Sequence, residues 1–123
     1  MAVYLDNAAT TPIAPEVVDA MIPILRDGFG NPSSTHSFGR RSKALIETSR
    51  RSIAKHINCH PAEIIFTSGG TEADNMAINS SVHKMGVTHI ITSEIEHHAV
   101  LHSTINIKNI DGVKLSHVKV DTN

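Results

Sequence analysis

The residues with the clearest chemical potential follow an apolar run that ends at Phe66 and read Thr-Ser-Gly-Gly-Thr over positions 67–71. A helical pattern comes next, so the sequence predicts a strand that turns into a helix. Glycines let such a turn approach an anion closely, and the first helical turn offers unpaired N–H groups. The hydroxyls of Ser68 and Thr71 would add hydrogen-bond donors. This chemistry is that of a phosphate-binding turn.

The same residues also fit an ordinary helix N-terminus that binds nothing. Glu72 and Asp74 lie in the first helical turns, where acids are favoured by the helix dipole. They would repel a phosphate unless their side chains point away from it. The turn alone therefore leaves both interpretations open.

A histidine cluster is the second feature with chemical potential. His98 and His102 have the i, i+4 spacing of a helical metal pair, with His97 beside them. A zinc site needs a third ligand, and Glu94 or Glu96 would serve only by folding back. A ring-binding or acid–base role fits His97 better, and we expect no metal.

Hydrophobic periodicity and turn residues predict an α/β chain. We expect helices near 16–27, 38–57, 71–85 and 98–108, strands near 63–67, 88–93 and 113–120, and a further short strand at 3–5. Alternating strands and helices predict a sheet with helical crossovers, parallel in the usual case. Ligands of such sheets bind beyond the carboxyl ends of the strands, where both Gly70-Thr71 and His97 fall.

Prolines and glycines give more local expectations. Pro23 predicts a kink or weakening of the first helix, and residues 28–34 predict a loop. Gly86 is a natural stop for the third helix. At Gly69 or Gly70 we expect a backbone conformation that a β-branched residue would resist.

Composition excludes several classes of protein. The chain has 123 residues, a net charge of -1, 40% hydrophobic and 3% aromatic residues, so it lacks the basic and aromatic features of a nucleic-acid binder. Its single cysteine, Cys59, excludes a disulfide framework and indicates a reducing compartment. No apolar run approaches the roughly 20 residues of a membrane span, and no targeting pattern opens the chain.

Five motifs occur in an order and spacing that resemble the N-terminal part of the NifS/IscS-type cysteine desulfurases. The motifs are residues 4–12 (YLDNAATTP), 29–34 (FGNPSS), His36 with Gly39, 65–75 (IFTSGGTEADN) and 96–100 (EHHAV). The resemblance covers essentially the whole chain. It implies a pyridoxal-phosphate enzyme of the aspartate-aminotransferase fold, with an N-terminal arm over 1–15 and an incomplete cofactor-binding domain over 16–123.

The resemblance also implies roles for individual residues. Gly70 and Thr71 match the pair that holds the cofactor phosphate in the family. His97 matches the histidine that stacks on the pyridine ring and shuttles protons. Asn7 and Thr10 lie in one segment, and Asn31 in another, that match segments lining the site or the dimer contact beside it.

The activity implied by the resemblance is removal of sulfur from L-cysteine to give L-alanine and an enzyme persulfide. The implied partners are a sulfur acceptor or iron–sulfur scaffold protein and a second copy of the chain, in the cytoplasm. The family's cofactor-linked lysine lies in a Ser-x-His-Lys motif downstream of this chain's end, and its sulfur-accepting cysteine lies later still. A literal match at residues 81–84 is rejected, because Lys84 lies 13 residues beyond Thr71, about 20 Å along one helix. Cys59 matches no catalytic position of the family.

Two alternatives remain open. Within the enzyme class, a selenocysteine lyase or a small aminotransferase has the same fold. Outside it, a truncated chain would retain the phosphate-binding turn and serve as a non-catalytic binding or assembly partner.

Overall fold

The computed structural model describes residues 2–121 and confirms the predicted α/β fold class. The chain divides into two compact units, one ending at Ile64 and the other starting at Ile65. The division into an arm over 1–15 and a domain over 16–123 stays a prediction.

The first unit contains two of the four predicted helices. Helix α1 spans Pro15–Asp27 and helix α2 spans Ser37–His56, followed by a short 3-10 helix at Pro61–Glu63. A proline in the first turn is preorganised for a helix and favours the start of α1. The helical backbone continues through Pro23. No residue of α1 is buried, so its apolar residues are largely exposed.

The predicted loop over 28–34 is confirmed and leads into α2. Its Gly30 has a φ of +142°, which only glycine adopts readily. The rings of Phe29 and Phe38 stack with centroids 5.0 Å apart. His36 precedes α2, and its Nδ1 accepts a hydrogen bond from the Gly39 N–H at 3.3 Å. A histidine therefore caps this helix in place of the usual serine or threonine.

The second unit contains helix α3 (Gly70–His83), strand β1 (His89–Ser93), helix α4 (His98–Asp111) and strand β2 (Lys114–Val118). The two strands pair in parallel, with His89 opposite Lys114 and Ser93 opposite Val118. This confirms two of the predicted strands and the helical crossover between them. The carboxyl ends of both strands therefore lie at the same edge of the sheet.

Helix α4 carries most of the core of this unit. It packs against α3 and β2, and its buried residues are Ala99, Ser103, Thr104 and Ile107. Thr104 satisfies its hydroxyl by donating to the carbonyl oxygens of Val100 and Leu101. Gly86, with a φ of +71°, ends α3 as predicted, because its N–H and that of Val87 bond back to Val82 and Ser81.

The predicted strand over 63–67 is wrong. Ile64 has extended dihedral angles of -88° and 122°, but no residue over 64–67 pairs with another strand among the described residues. Ile65 is 65% exposed. An apolar extended segment becomes a strand only when a neighbour accepts and donates its ladder hydrogen bonds. The short strand predicted over 3–5 is wrong for the same reason.

The expectation for Gly69 and Gly70 is also wrong. Gly69 is extended, with φ 169° and ψ 179°, and Gly70 is already helical. Both conformations are open to other residues. Within residues 2–121, no helix is long and apolar enough to cross a membrane.

Candidate functional site

The turn into α3 presents free N–H groups to open space. Gly69 is the N-cap and has no side chain to cover them, while Ala73 is the first residue whose N–H reaches an intrahelical acceptor, the Gly69 carbonyl at 3.2 Å. A Cβ built on Gly69 or Gly70 would meet nothing within 4 Å. The N–H groups of Gly70, Thr71 and Glu72 are therefore available to an anion.

Glu72 folds back over this turn and holds Ser68. Its Oε2 accepts the Ser68 backbone N–H at 2.6 Å and the Ser68 hydroxyl at 2.7 Å. Both hydrogen bonds keep the pKa of Glu72 below its usual value. The bond from the Ser68 backbone N–H has the larger effect, and the bond from the Ser68 hydroxyl has the smaller one. Since a hydroxyl has one proton, Ser68 does not offer the free donor expected from the sequence. The carboxylate therefore lies on Ser68 and is not among the groups that line the pocket described below.

Thr71 lies in the first turn of α3 and lines a pocket between α3 and α4. Its carbonyl oxygen accepts a hydrogen bond from Asn75 Nδ2 at 2.8 Å. Its hydroxyl has no hydrogen-bond partner within residues 2–121. This side chain can therefore donate to a ligand in the pocket without giving up an internal bond.

His97 follows the carboxyl end of β1 and caps α4. Its Nδ1 accepts a hydrogen bond from the Ala99 N–H at 3.1 Å, so the neutral ring carries its proton on Nε2. The ring also lines the pocket that Thr71 lines. Helix capping fixes Nδ1, and Nε2 is the atom left to exchange a proton with a ligand.

The pocket has a volume of about 610 Å³ and is open to solvent. It is lined by Thr71, Asn75, His97, His98, Ala99, His102, Ser103, Ile105, Asn106 and Asn109. Ser103 is 5% exposed, and its hydroxyl has no hydrogen-bond partner in the described part of the chain. A buried hydroxyl left without a partner is uncommon and costly. It is a second donor that a ligand in this pocket could satisfy.

These groups fit the phosphate and ring of a flat cofactor better than they fit a metal ion. Helix N–H groups and a hydroxyl suit a phosphate, and an imidazole at the end of the neighbouring strand suits an aromatic ring. Across residues 2–121, no group of three or more His, Cys, Asp or Glu side chains is arranged to hold a metal. His98 and His102 have ring centroids 5.4 Å apart but lack a third ligand.

Comparison with known proteins agrees with this geometry. The family model for aminotransferase class V matches residues 3–123. The chain belongs to the class V aminotransferases. This confirms the family resemblance found in the motifs.

The relatives extend beyond the described chain. The cysteine desulfurase IscS of Dictyoglomus turgidum is 50% identical over 97% of this chain and 30% of its own length. A selenocysteine lyase of Xenopus tropicalis is 40% identical over 98% of the chain and 31% of its own length. A solved NifS-like protein superposes with a TM-score of 0.88 at 36% identity, covering 98% of this chain and 34% of that one. This chain therefore spans about a third of the length of these relatives.

The family uses pyridoxal 5′-phosphate. Thr71 and His97, which the sequence predicts to hold its phosphate and its ring, both line the pocket, and these roles stay predictions. The sequence analysis did not predict that Asn75, Ser103 and the residues of α4 beyond His102 line the pocket. The i, i+4, i+8 spacing of His98, His102 and Asn106 places these three residues on one face of a helix and could have indicated it.

Three further predicted site residues belong to the first unit of this class V chain. The backbone over 6–10 forms the predicted turn, in which the Thr10 N–H reaches the Asp6 carbonyl at 3.3 Å. The Thr10 hydroxyl bonds the Tyr4 hydroxyl at 2.7 Å. Asn31 uses Oδ1 to accept the Ser33 N–H at 2.9 Å. Thr10 and Asn31 thus hold their own loops, and a role in the site for Asn7, Thr10 and Asn31 stays a prediction.

The two rejected catalytic candidates lie away from the phosphate-binding turn along the chain. Lys84 follows α3 as its C-cap, at the other end of the helix that Thr71 begins. Cys59 lies in the first unit, half-buried, with its N–H bonded to the Ala54 carbonyl at 2.9 Å. Neither is among the residues that line the pocket.

Proposed function

We propose that this chain is the N-terminal part of a pyridoxal-phosphate-dependent cysteine desulfurase. The reaction takes sulfur from L-cysteine, giving L-alanine and an enzyme-bound persulfide. The observation that carries this proposal is the 50% identity to a cysteine desulfurase along 97% of the chain. Thr71 and His97, which lie on one pocket, support it independently.

The phosphate end of the pocket is formed by main chain and one hydroxyl. The free N–H groups at the start of α3 and the Thr71 hydroxyl hold the phosphate. Among residues 2–121, no lysine or arginine lines the pocket, so the helix dipole provides the positive potential at this end. A Cβ built on Gly70 would point into open space, with no atom within 4 Å, so the approach to these N–H groups is unobstructed.

The ring end is formed by His97. When bound, pyridoxal phosphate supplies the electron sink for chemistry at the amino acid's α-carbon. His97 covers the ring and moves a proton through Nε2, since Nδ1 is engaged by Ala99. The hydrogen bond from the Ala99 N–H fixes the orientation of the His97 imidazole before a ligand binds.

The remaining chemical groups come from sequence beyond Asn123. A lysine must link the cofactor, and a thiolate must accept sulfur. Neither Lys84 nor Cys59 serves, given their places in the fold. We further propose a homodimer in the cytoplasm that delivers sulfur to an acceptor or an iron–sulfur scaffold protein.

A selenocysteine lyase is the second candidate, favoured by the 40% identity to the Xenopus tropicalis protein. The higher identity to the desulfurase favours L-cysteine as the substrate. Both candidates require the same cofactor site, so residues 2–121 do not separate them chemically.

The test uses the full-length protein that contains this chain. Cofactor-loaded protein is incubated with L-cysteine or L-selenocysteine and a thiol reductant, which releases the persulfide sulfur as sulfide, and sulfide, selenide and alanine are measured. Cysteine-dependent sulfide with equimolar alanine supports the desulfurase, and release from selenocysteine alone supports the lyase. Failure to bind pyridoxal phosphate or to release either product would favour a binding or assembly role.

Thr71 gives the matched control for the site. Thr71→Ala removes one hydrogen bond to a charged group and should weaken cofactor binding by roughly 1.5–3 kcal/mol. Thr71→Ser retains the hydroxyl and should bind nearly as the wild type does. An unchanged affinity in Thr71→Ala would remove the hydroxyl from the proposed site.

A further inference from the structure

The phosphate-binding turn contains an acid that its chemistry does not need. Glu72 is the third residue of α3, and a carboxylate beside a phosphate opposes binding by charge repulsion. Its side chain nevertheless has a defined position, with Oε2 on the Ser68 N–H at 2.6 Å and on the Ser68 hydroxyl at 2.7 Å. Both bonds run to the residue just before Gly69.

This link spans the two glycines. Ser68 is the last residue before the turn, and Glu72 is the third residue of α3. Gly69 and Gly70, which have no side chains, lie between them. A Cβ built on either glycine would meet nothing within 4 Å, so neither position offers a side-chain packing contact. Glycine also has the largest backbone freedom to lose on ordering. The Gly69 carbonyl accepts hydrogen bonds from the Thr67 hydroxyl and the Ala73 N–H, both at 3.2 Å. The two Glu72–Ser68 bonds are the ones that join the residue before the glycines to the first turn of α3.

We propose that Glu72 is a positioning residue for the phosphate end of the pocket. By tying Ser68 to the first turn of α3, it holds the N–H groups of Gly70 and Thr71 in the direction of the pocket before a ligand binds. Preorganised donors bind more tightly because the ordering cost is met in the free protein. The proposal rests on the function proposed above, since it concerns the same phosphate.

Two observations connect the turn to a ligand. Thr71, within this segment, lines the pocket, and Ser103 on the facing helix is buried with a hydroxyl that lacks a partner in the described chain. Glu72 itself points back to Ser68 and is not among the lining residues. It acts on the ligand through the backbone.

Variants at position 72 separate geometry from charge. Glu72→Ala removes the acceptor and the charge, Glu72→Asp keeps the charge on a side chain one methylene shorter, and Glu72→Gln keeps an acceptor without charge. If geometry dominates, Glu72→Ala and Glu72→Asp weaken binding of pyridoxal phosphate by about tenfold, the usual cost of a lost N-terminal cap. Glu72→Gln binds as the wild type does or more tightly, because the charge repulsion is gone.

Two controls make the readout specific. Asp74 carries a like charge in the same part of the helix and makes no side-chain hydrogen bond within residues 2–121, so Asp74→Asn should not weaken binding. Pyridoxal lacks the phosphate, so its affinity should be the same in all the variants.

The experiment titrates cofactor-free full-length protein with pyridoxal phosphate and with pyridoxal, following absorbance. The inference is overturned if Glu72→Ala and Glu72→Asp bind pyridoxal phosphate as tightly as the wild type, if Glu72→Gln is as weak as they are, or if pyridoxal affinity falls equally. Should Glu72→Ala fail to fold, Glu72→Asp decides. A wild-type protein that does not bind pyridoxal phosphate would overturn the proposed function, and the inference with it.

Discussion

Gly39 lies so close to the main chain of Asn31 that a Cβ added to it would be 2.5 Å from the Asn31 carbonyl oxygen. The Ser34 carbonyl oxygen crowds the same position. Gly39 also donates its N–H to His36 Nδ1, which caps α2. The first turn of α2 thus packs so tightly against the loop before it that position 39 has no room for a side chain larger than hydrogen.

Gly39→Ala should therefore destabilise the protein. Forcing a methyl group against two carbonyl oxygens requires the backbone to shift, which typically costs about 1–3 kcal/mol. The measurement is chemical denaturation of the cofactor-free protein, with Gly70→Ala as the control because a Cβ there meets nothing. Equal free energies of unfolding for the two variants would show that the loop backbone shifts to admit the methyl group without loss of stability.

Substitution of His97 should affect turnover more than cofactor retention. His97→Ala removes both the ring and the cap on α4, whereas His97→Asn keeps a side-chain acceptor for the Ala99 N–H. Both variants lose the proton carrier, so we expect kcat to fall by about 10²–10⁴. Steady-state kinetics of the loaded enzyme, with bound cofactor measured separately, test this. Normal turnover in His97→Asn would assign His97 a capping role only.

The contribution of the Glu72–Ser68 hydrogen bonds to the free energy of unfolding should decrease at acid pH. The Ser68 N–H and hydroxyl hold the folded-state pKa of Glu72 below its usual value of 4.5. The bonds therefore stabilise the fold fully above that value, and this stabilisation is lost as pH falls through the lowered pKa. The difference in denaturation midpoint between wild type and Glu72→Gln should be constant from pH 7 to pH 5 and shrink below pH 4.5. A difference that grows on acidification would contradict the assignment.

Residues 1–123 alone should produce no sulfide from L-cysteine. Lys84 follows the last turn of α3, about 20 Å from the end where Thr71 lies, and Cys59 lies outside the residues lining the pocket. The isolated chain is incubated with pyridoxal phosphate, reduced with borohydride and mapped by peptide mass. A single stoichiometric adduct on Lys84 with cysteine-dependent sulfide would show that Ser81–Lys84 is a functional motif after all.

Much of the fold could be predicted because local signals agree with it. Helices α1 to α4 begin and end within three residues of the expected positions, since Pro15 and Gly86 mark boundaries that depend on backbone sterics alone. Strands β1 and β2 could be predicted because both have the hydrophobic pattern of a strand. The helix between them is the crossover that two parallel strands require.

Failures occurred where a structure depends on a distant partner or on an unusual use of a side chain. The apolar residues at 64–66 have strand propensity, but propensity does not supply a pairing strand. His36 and His97 cap helices through Nδ1, a role that composition does not suggest for histidine. Similarly, no sequence pattern shows that the Ser68 hydroxyl faces Glu72 and is already engaged.

The proximity of Thr71 and His97 along the chain, 26 residues apart, has a consequence for biosynthesis. The cost of closing a chain segment grows with its length, and local contacts form faster than distant ones. Both ends of the pocket belong to one α3–β1–α4 segment that leaves the ribosome together. The two residues proposed to contact the cofactor can thus come together early in translation.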